Sequence, residues 1–159
     1  MAKFKYRMQN ILDIKKKLEE SAKMEFTEAN ARVMREEEKL TALHGRRRVY
    51  EAEGKQLRKA QMHVQDIKNN IQALSVIREM IKDQELELQK AQKIQEEKRL
   101  QLQNAMQERK TQEKLYENAF AEFVLEENAR EGREVDELVS YKYGQKRKEE
   151  NSQYEVSHG

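Results

Sequence analysis

The sequence contains no cysteine, no proline and no tryptophan, and only five of its 159 residues are glycine. Without cysteine the chain has no disulfide framework and no thiol nucleophile, which is typical of proteins from a reducing compartment. Without proline, and with little glycine, it lacks the residues that interrupt helices and that are enriched in disordered chains. These absences favour long, uninterrupted helices.

Apolar residues are also scarce, because hydrophobic residues make up 36% of the chain and charged residues 39%. A globular domain of this length would need more apolar material to fill its core. The abundant residues, Glu, Lys, Gln, Arg, Ala and Leu, are good helix formers and give the composition of coiled coils. The sequence therefore predicts an all-α protein in which each helix buries one narrow stripe.

The charges nearly balance, with 32 basic and 30 acidic residues and a formal net charge of +2. A dedicated nucleic-acid binder would show a clear basic excess, so no nucleic-acid partner is expected. Near the N-terminus, the apolar pair Ile11 and Leu12 is followed by Asp13 and, after Ile14, by three lysines. We find no signal-peptide core and no membrane-spanning run, and we expect a cytoplasmic protein.

Apolar side chains recur at alternating steps of three and four residues, the rhythm of a coiled coil. In the first half the series is Ala22, Phe26, Ala29, Val33, Leu40, Leu43, Tyr50, Leu57, Val64 and Ile71. In the second half it is Leu74, Ile77, Ile81, Leu88, Ala91, Leu102, Ala105, Tyr116, Ala119 and Phe123. Two consecutive four-residue steps, from Leu18 to Ala22 to Phe26, predict a stutter that locally unwinds the supercoil.

The pattern predicts an antiparallel two-helix coiled-coil hairpin with an overhanging C-terminal helix. We predict a coiled coil over residues 1–143, with arm one at about 3–58, the bend at about 54–69 and arm two at about 65–141, followed by a disordered tail over 144–159. With the bend centred near Gln61 or Met62, Phe4 faces Phe120. A bend half a heptad further on gives another tolerable register.

Residues that would support chemistry are missing. There is no glycine-rich phosphate loop, and the three histidines, His44, His63 and His158, are far apart in the sequence. We expect no catalytic, cofactor-binding or metal-binding residues, and no enzymatic activity. The triplet from Arg46 to Arg48 is interpreted as a solvated helix face in preference to a binding patch.

Apolar residues are in surplus on both sides of the predicted bend. Leu43, Arg46 and Tyr50 lie at helical spacing on the first arm, and Asn70, Leu74, Ile77 and Ile81 do so on the second. A two-helix seam does not bury all of the apolar residues in this region. Two interpretations stay open at this point: a local core that anchors the turn, or an exposed patch that docks a partner.

Four segments together resemble the FliJ family of flagellar type III export proteins. They are FKYRMQNILDIKKKLEESAKMEF, EEEKLTALHGRRRVY, NNIQALSVI and QERKTQEKLYENAFAEFVLEENAREGREVDELV. The resemblance implies a non-enzymatic stalk or adaptor that sits in the hexameric export ATPase, promotes its assembly and activity, and links it to the membrane export gate and to export chaperones. It also implies a location at the cytoplasmic face of the inner membrane, under the flagellar basal body.

The resemblance further implies two sets of contact residues. Segment matching assigns the export-gate surface to Leu43, Arg46, Tyr50, Asn70, Leu74, Ile77 and Ile81. Other members carry aromatic residues where this sequence has Arg46 and Asn70. Contacts with the ATPase ring are assigned to Phe123, Glu126, Arg130, Arg133 and Leu138.

Three other interpretations of the sequence remain. The stalk protein of an injectisome would have a similar pattern, and so would a generic coiled-coil homodimer scaffold. A coiled coil associated with nucleic acid fits the balanced charge poorly. The hairpin interpretation predicts a monomer, because one chain supplies both halves of the seam.

Overall fold

In a computed structural model, which describes residues 2–60 and 63–157, the chain forms two long helices that pack against each other. Helix α1 spans Gln9–Lys59 and helix α2 spans Val64–Ser157, and the described residues include no β-strand. The predicted all-α hairpin is confirmed. Gln61 and Met62, on which the predicted bend is centred, lie outside the described residues.

Polar groups on either side of the bend suit the helix ends. The carbonyl oxygen of His63 accepts hydrogen bonds from the backbone N–H groups of Asp66 (3.0 Å) and Ile67 (3.3 Å). The carboxylate of Asp66, in the first turn of α2, interacts favourably with the positive end of that helix dipole. The positive charges of Arg58 and Lys59, in the last turn of α1, interact favourably with the negative end of its dipole.

The chain divides into two compact units, each described here by itself. The bend unit is Ile14–Arg109, and the terminal unit consists of Met1–Asp13 and Lys110–Gly159. In the bend unit, Lys15 pairs with Glu108 (Nζ to Oε2, 2.9 Å) and Lys98 with Glu25 (Nζ to Oε2, 3.1 Å). Residues early in α1 therefore meet residues late in this part of α2, so the two helices run antiparallel.

The seam of the bend unit follows an unbroken heptad rhythm on both helices. On α1 the buried and half-buried positions include Lys15, Glu19, Ala22, Phe26, Ala29, Val33, Glu36, Leu40, Leu43, Arg47, Tyr50, Gly54 and Leu57. On α2 they include Asn70, Leu74, Ile77, Ile81, Gln84, Leu88, Ala91, Gln95, Lys98, Leu102, Ala105 and Arg109. This burial confirms most of the predicted apolar series. It also shows that polar residues occupy the seam positions at which the sequence has no apolar residue.

The predicted stutter is wrong. Leu18 is 49% exposed, whereas its neighbour Glu19 is only 5% exposed. The seam passes from Lys15 to Glu19 to Ala22, in steps of four and three residues, so the heptad continues without interruption. The series also overreaches at its other end, because Val64 and Ile71 are 67% and 61% exposed.

Glu19 takes a buried slot because two cations neutralise it. Its carboxylate accepts a hydrogen bond from the guanidinium of Arg109 on α2 and lies 3.3 Å from Nζ of Lys23. A buried carboxylate without such partners would be strongly unfavourable. The pair joins residues 90 positions apart in the chain and thereby helps to fix the register of the two helices.

Neutral polar side chains bridge the rest of the seam. Nε2 of Gln84 donates to the carbonyl oxygen of Glu36 (3.1 Å) and to its carboxylate. Nε2 of Gln95 donates to Oδ1 of Asn30 (2.6 Å). Because directional bonds of this kind match only one alignment, they specify the register more narrowly than apolar contacts do.

Two seam carboxylates titrate below their ordinary range. Burial raises the pKa of Glu19, but the hydrogen bonds and positive charges of Arg109 and Lys23 together outweigh it, so the pKa is lowered from 4.5. The hydrogen bond from Gln84 lowers the pKa of Glu36 in the same way. Both groups therefore stabilise the fold when they are ionised.

Acidification is expected to weaken the hairpin through Glu19. Because the pKa of Glu19 is lower in the folded state, its ionised form contributes its full stabilisation above pH 4.5. This contribution is lost as the pH falls through the folded-state pKa. We expect the loss of melting temperature between pH 7 and pH 3, measured by circular dichroism, to be a few degrees smaller in Glu19→Gln than in the wild type. Glu20→Gln, an exposed neighbour, is the control and should behave as the wild type. An equal loss in all three proteins would contradict the role of Glu19.

In the terminal unit, an aromatic cluster holds the N-terminal residues against α2. The ring of Phe4 lies 5.4 Å from Tyr116, 5.3 Å from Phe120 and 5.3 Å from Phe123, measured between centroids. Tyr6 lies 5.2 Å from Tyr116, edge to face. The predicted contact of Phe4 with Phe120 is confirmed. Phe4 and Tyr6 precede α1, in non-helical chain.

The last part of α2 is a helix without a packed face, since every residue from 128 to 157 is exposed. The structure differs here from the predicted disordered tail over 144–159, of which His158 and Gly159 lie outside the described residues. The absence of proline and the many helix-forming side chains explain the helix, in which Gly144 costs about 1 kcal/mol relative to alanine. Propensity, not burial, accounts for this segment.

The accessible surface of the protein is 13288 Å² for a mass of 19.0 kDa. A compact globular protein of this mass would expose about 8,400 Å². The excess agrees with a fold in which each helix buries one stripe.

Candidate partner-binding surfaces

A shallow groove lies between the two helices near the bend. One stretch, of 330 Å³, is lined by Arg46, Tyr50, Asn69, Gln72, Ala73, Val76 and Ile77. A second stretch, of 420 Å³, is lined by Tyr50, Glu53, Leu57, Asp66, Asn69, Asn70 and Ala73. Because the two stretches share Tyr50, Asn69 and Ala73, we treat them as one feature, the bend groove.

The bend groove has a mixed lining, with Tyr50 and Ala73 at its centre, amide side chains beside them and charged residues at its ends. Tyr50 and Ala73 are half-buried at its centre, and Val76, 52% exposed, is accessible on one side. Arg46 lies at the end away from the bend, whereas Glu53 and Asp66 lie at the end near it. The groove is too open to enclose a small molecule, and it suits side chains that project from another protein.

The structure brings four of the seven predicted gate-contact residues to this groove. Arg46, Tyr50 and Ile77 line one stretch, and Tyr50 and Asn70 line the other. Leu43, Leu74 and Ile81 do not line it. The predicted set is therefore a mixture of residues that line the groove and residues that do not.

The four predicted contact residues on α2 are core residues in this structure, not an exposed patch. Ile77 is 2% exposed, Ile81 6%, Leu74 8% and Asn70 8%, and Leu43 on α1 is half-buried. Of the two interpretations that the sequence leaves open for these residues, the local core at the turn is the one that their burial supports. Buried side chains of this kind support a docking surface from below.

Asn70 and Gly54 form a close contact that the sequence analysis missed. Nδ2 of Asn70 donates a 2.9 Å hydrogen bond to the carbonyl oxygen of Tyr50. The same side chain occupies the space beside Gly54, where an added Cβ would meet Oδ1 of Asn70 and would lie 3.2 Å from its Cγ. The carbonyl oxygen of Gly54 accepts a 3.1 Å hydrogen bond from Nε of Arg58. Gly54 therefore admits Asn70 to the seam and is not the helix breaker that its type suggests.

A second candidate surface is the exposed part of α2 after the aromatic cluster. Of the predicted ring-contact residues, Phe123 is half-buried against Phe4, and Glu126, Arg130, Arg133 and Leu138 are exposed. Nη2 of Arg130 pairs with Oε2 of Glu127 at 2.7 Å, and Nε of Arg133 donates to the carbonyl oxygen of Ala129 at 3.4 Å. Leu138 is 60% exposed. The face combines mixed charge with isolated apolar side chains.

Within the described residues, no group of three or more His, Asp or Glu side chains is arranged to hold a metal ion. His44 is half-buried on α1 and His63 is exposed just before α2, while His158 lies outside the described residues. None of the helices, as far as the structure describes them, has a stretch apolar enough to cross a bilayer.

Comparison with known proteins gives one family. The model of the family described as "Flagellar FliJ protein" matches residues 4–148, which cover all of α1 and most of α2. No match is found among curated proteins, and none among solved structures.

Proposed function

Because this chain belongs to the FliJ family, and is thus a component of the flagellar protein export apparatus, we propose that it is the stalk of that apparatus. In this proposal it is a non-enzymatic adaptor that binds the hexameric export ATPase, promotes assembly and activity of the ring, and links the ring to the membrane export gate and to export chaperones. It acts at the cytoplasmic face of the inner membrane, under the basal body. The flagellar family match favours this role over that of an injectisome stalk.

The observation that carries the proposal is the unpacked helix over residues 128–157. A single helix about 10 Å wide fits a central pore that excludes a globular domain. Its side chains are all exposed, so a surrounding ring is able to contact every face of it. We assign the ring contacts to Glu126, Arg130, Arg133 and Leu138, with Phe123 anchoring the start of this segment.

The proposed mechanism is a shift in the population of ring states. The helix binds some nucleotide states of the ATPase better than others, and a ligand shifts an equilibrium only by this difference in affinity. Charged and polar contacts suit such a role, because the helix must release each state as well as bind it. The chain works as a monomer here, since it already supplies both halves of its own seam.

The bend end is proposed to contact the export gate. The bend groove supplies the accessible residues, Arg46 and Tyr50 among them, and the buried set on α2 holds them in place. Leu43, Leu74, Ile77 and Ile81 then contribute to gate binding by keeping the two helices in register. Asn70, which borders the groove and bonds to Tyr50, belongs to both groups.

The experiment that tests the ring contact measures ATP hydrolysis by the purified export ATPase as this protein is added. We expect stimulation and co-elution with the wild-type chain. Leu138→Asp should raise the concentration for half-maximal stimulation by more than about tenfold, as loss of an interface anchor does. Val156→Asp is the matched control, because Val156 is 83% exposed on the same helix but lies outside the family match.

Both variants should keep the wild-type melting temperature, since neither side chain is packed. If the wild-type chain neither changes the rate of hydrolysis nor co-elutes with the ATPase, the stalk proposal is wrong. If Leu138→Asp and Val156→Asp behave alike, the assignment of Leu138 to the contact is wrong.

A further inference from the structure

The bend groove has an arginine with no described ion-pair partner at one of its ends. In the triplet from Arg46 to Arg48, only Arg47 lies near a carboxylate among the described residues, with Nε 3.7 Å from Oε1 of Glu51. Arg46 and Arg48 are both exposed, but only Arg46 lines the groove. Residues two apart on a helix point in nearly opposite directions, so Arg48 faces away from it.

We propose that the bend groove binds an amphipathic helix of a partner protein, with a carboxylate of that helix against Arg46 and its apolar side chains between Tyr50 and Val76. The inference rests on the proposed contact with the export gate, and it names the chemistry of the segment that the gate would supply.

The shape of the groove suits a helix. Two antiparallel helices leave a furrow along their seam, and a third helix packs into such a furrow with its side chains interdigitated. The floor offers Tyr50 and Ala73 at the centre with Val76 on one side, and the buried Ile77 lies beneath. Strand addition by an extended peptide would need an exposed strand edge, and the described residues contain no strand.

The charges of the groove predict how charged residues are distributed along the bound helix. Arg46 lies at one end, and Glu53 and Asp66 lie at the other. Arg46 and Glu53 are seven residues apart on α1, which corresponds to about 10 Å along the helix. The partner helix should therefore carry an acidic residue at the end away from the bend and a basic residue about two turns from it.

An acidic partner helix fits these observations better than an acidic lipid surface. A lipid headgroup layer attracts basic residues according to their number and exposure. It would therefore use Arg46 and Arg48 alike. The groove distinguishes the two arginines, because only Arg46 borders it.

The experiment compares Arg46→Glu with Arg48→Glu, two identical charge reversals on one turn of helix. Binding of the full chain to the purified cytoplasmic part of the export-gate protein is measured by calorimetry, after equal melting temperatures show that both variants are folded. We expect Arg46→Glu to weaken binding about tenfold and Arg48→Glu to weaken it less than about twofold. Arg46→Met, which keeps the stem without the charge, should bind with a weaker dependence on salt than the wild type.

The outcomes separate the inference from the function on which it rests. Equal effects of Arg46→Glu and Arg48→Glu would show that the bend groove is not the binding site, while the proposed contact with the gate would still stand. If both variants lose binding to vesicles of phosphatidylcholine and phosphatidylglycerol equally, and neither loses binding to the gate protein, the arginines contact lipid instead. If the wild-type chain does not bind the gate protein, the gate contact itself is wrong, and the inference falls with it.

Discussion

Replacing Ile77 by aspartate is expected to destabilise the hairpin by about 3 kcal/mol or more. The side chain is 2% exposed in the seam of the bend unit. The substitution removes the packing of a fully buried isoleucine and places a carboxylate at a position that is shielded from water. We expect a marked fall in melting temperature and in the helical signal at 37 °C, both measured by circular dichroism.

Val76→Asp is the control, because it makes a comparable change one residue away at a side chain that is 52% exposed. It should lower the melting temperature by no more than about 1 °C. If Ile77→Asp keeps the wild-type melting temperature and loses only gate binding, then Ile77 is a docking residue and the seam is not as the structure has it. The same comparison decides between the two interpretations of the surplus apolar residues near the bend.

Adding one methyl group at Gly54 is expected to destabilise the hairpin, although alanine is the better helix former. A Cβ at this position meets the side chain of Asn70, which is able to move only by giving up its hydrogen bond to Tyr50. We expect Gly54→Ala to lower the free energy of unfolding by about 1–2 kcal/mol, a cost of overpacking that exceeds the gain in propensity. Chemical denaturation measures this change.

Two further variants isolate the cause. Gly45→Ala on the same helix, where an added Cβ meets nothing within 4 Å, should raise stability by up to about 1 kcal/mol. In an Asn70→Ala background the obstruction is gone, so Gly54→Ala should then be stabilising. A destabilising effect of Gly54→Ala in both backgrounds would show that Asn70 is not the obstruction.

The heptad pattern was sufficient to predict the hairpin and most of its seam. The steps of three and four residues locate Ala29, Val33 and Ile81 in the interior, where the structure has them. The aromatic residues at the two ends of the pattern also gave the contact between Phe4 and Phe120. These predictions succeeded because a two-helix coiled coil is largely determined by the period of its apolar residues.

Apolarity alone could not place the polar residues of the seam. It selected Leu18 over Glu19, because one of the two cations that neutralise Glu19 is Arg109, far along the chain. The choice between neighbours on a helix turns the buried face by about 100°, so a single error created the apparent stutter. The pair of Glu19 and Arg109 becomes apparent only when the two helices are aligned with each other.

The contact between Gly54 and Asn70 had a signal that was not used. Gly54 and Asn70 are equally distant from Met62 in the sequence, as are Phe4 and Phe120. The register that pairs the two phenylalanines therefore also pairs the glycine with the asparagine. A small residue opposite a polar one in a seam indicates a close approach of the two helices, and a local propensity scale reports only a weak breaker.

The large accessible surface of this chain, 13288 Å² for 19.0 kDa, bears on the proposed function. A globular protein of equal mass has about 5,000 Å² less surface. The residues proposed for the ATPase ring and those proposed for the export gate belong to different stretches of the sequence, and no residue is in both sets. In that proposal, occupying one set leaves the other vacant, so the ATPase and the gate are able to hold the same chain simultaneously.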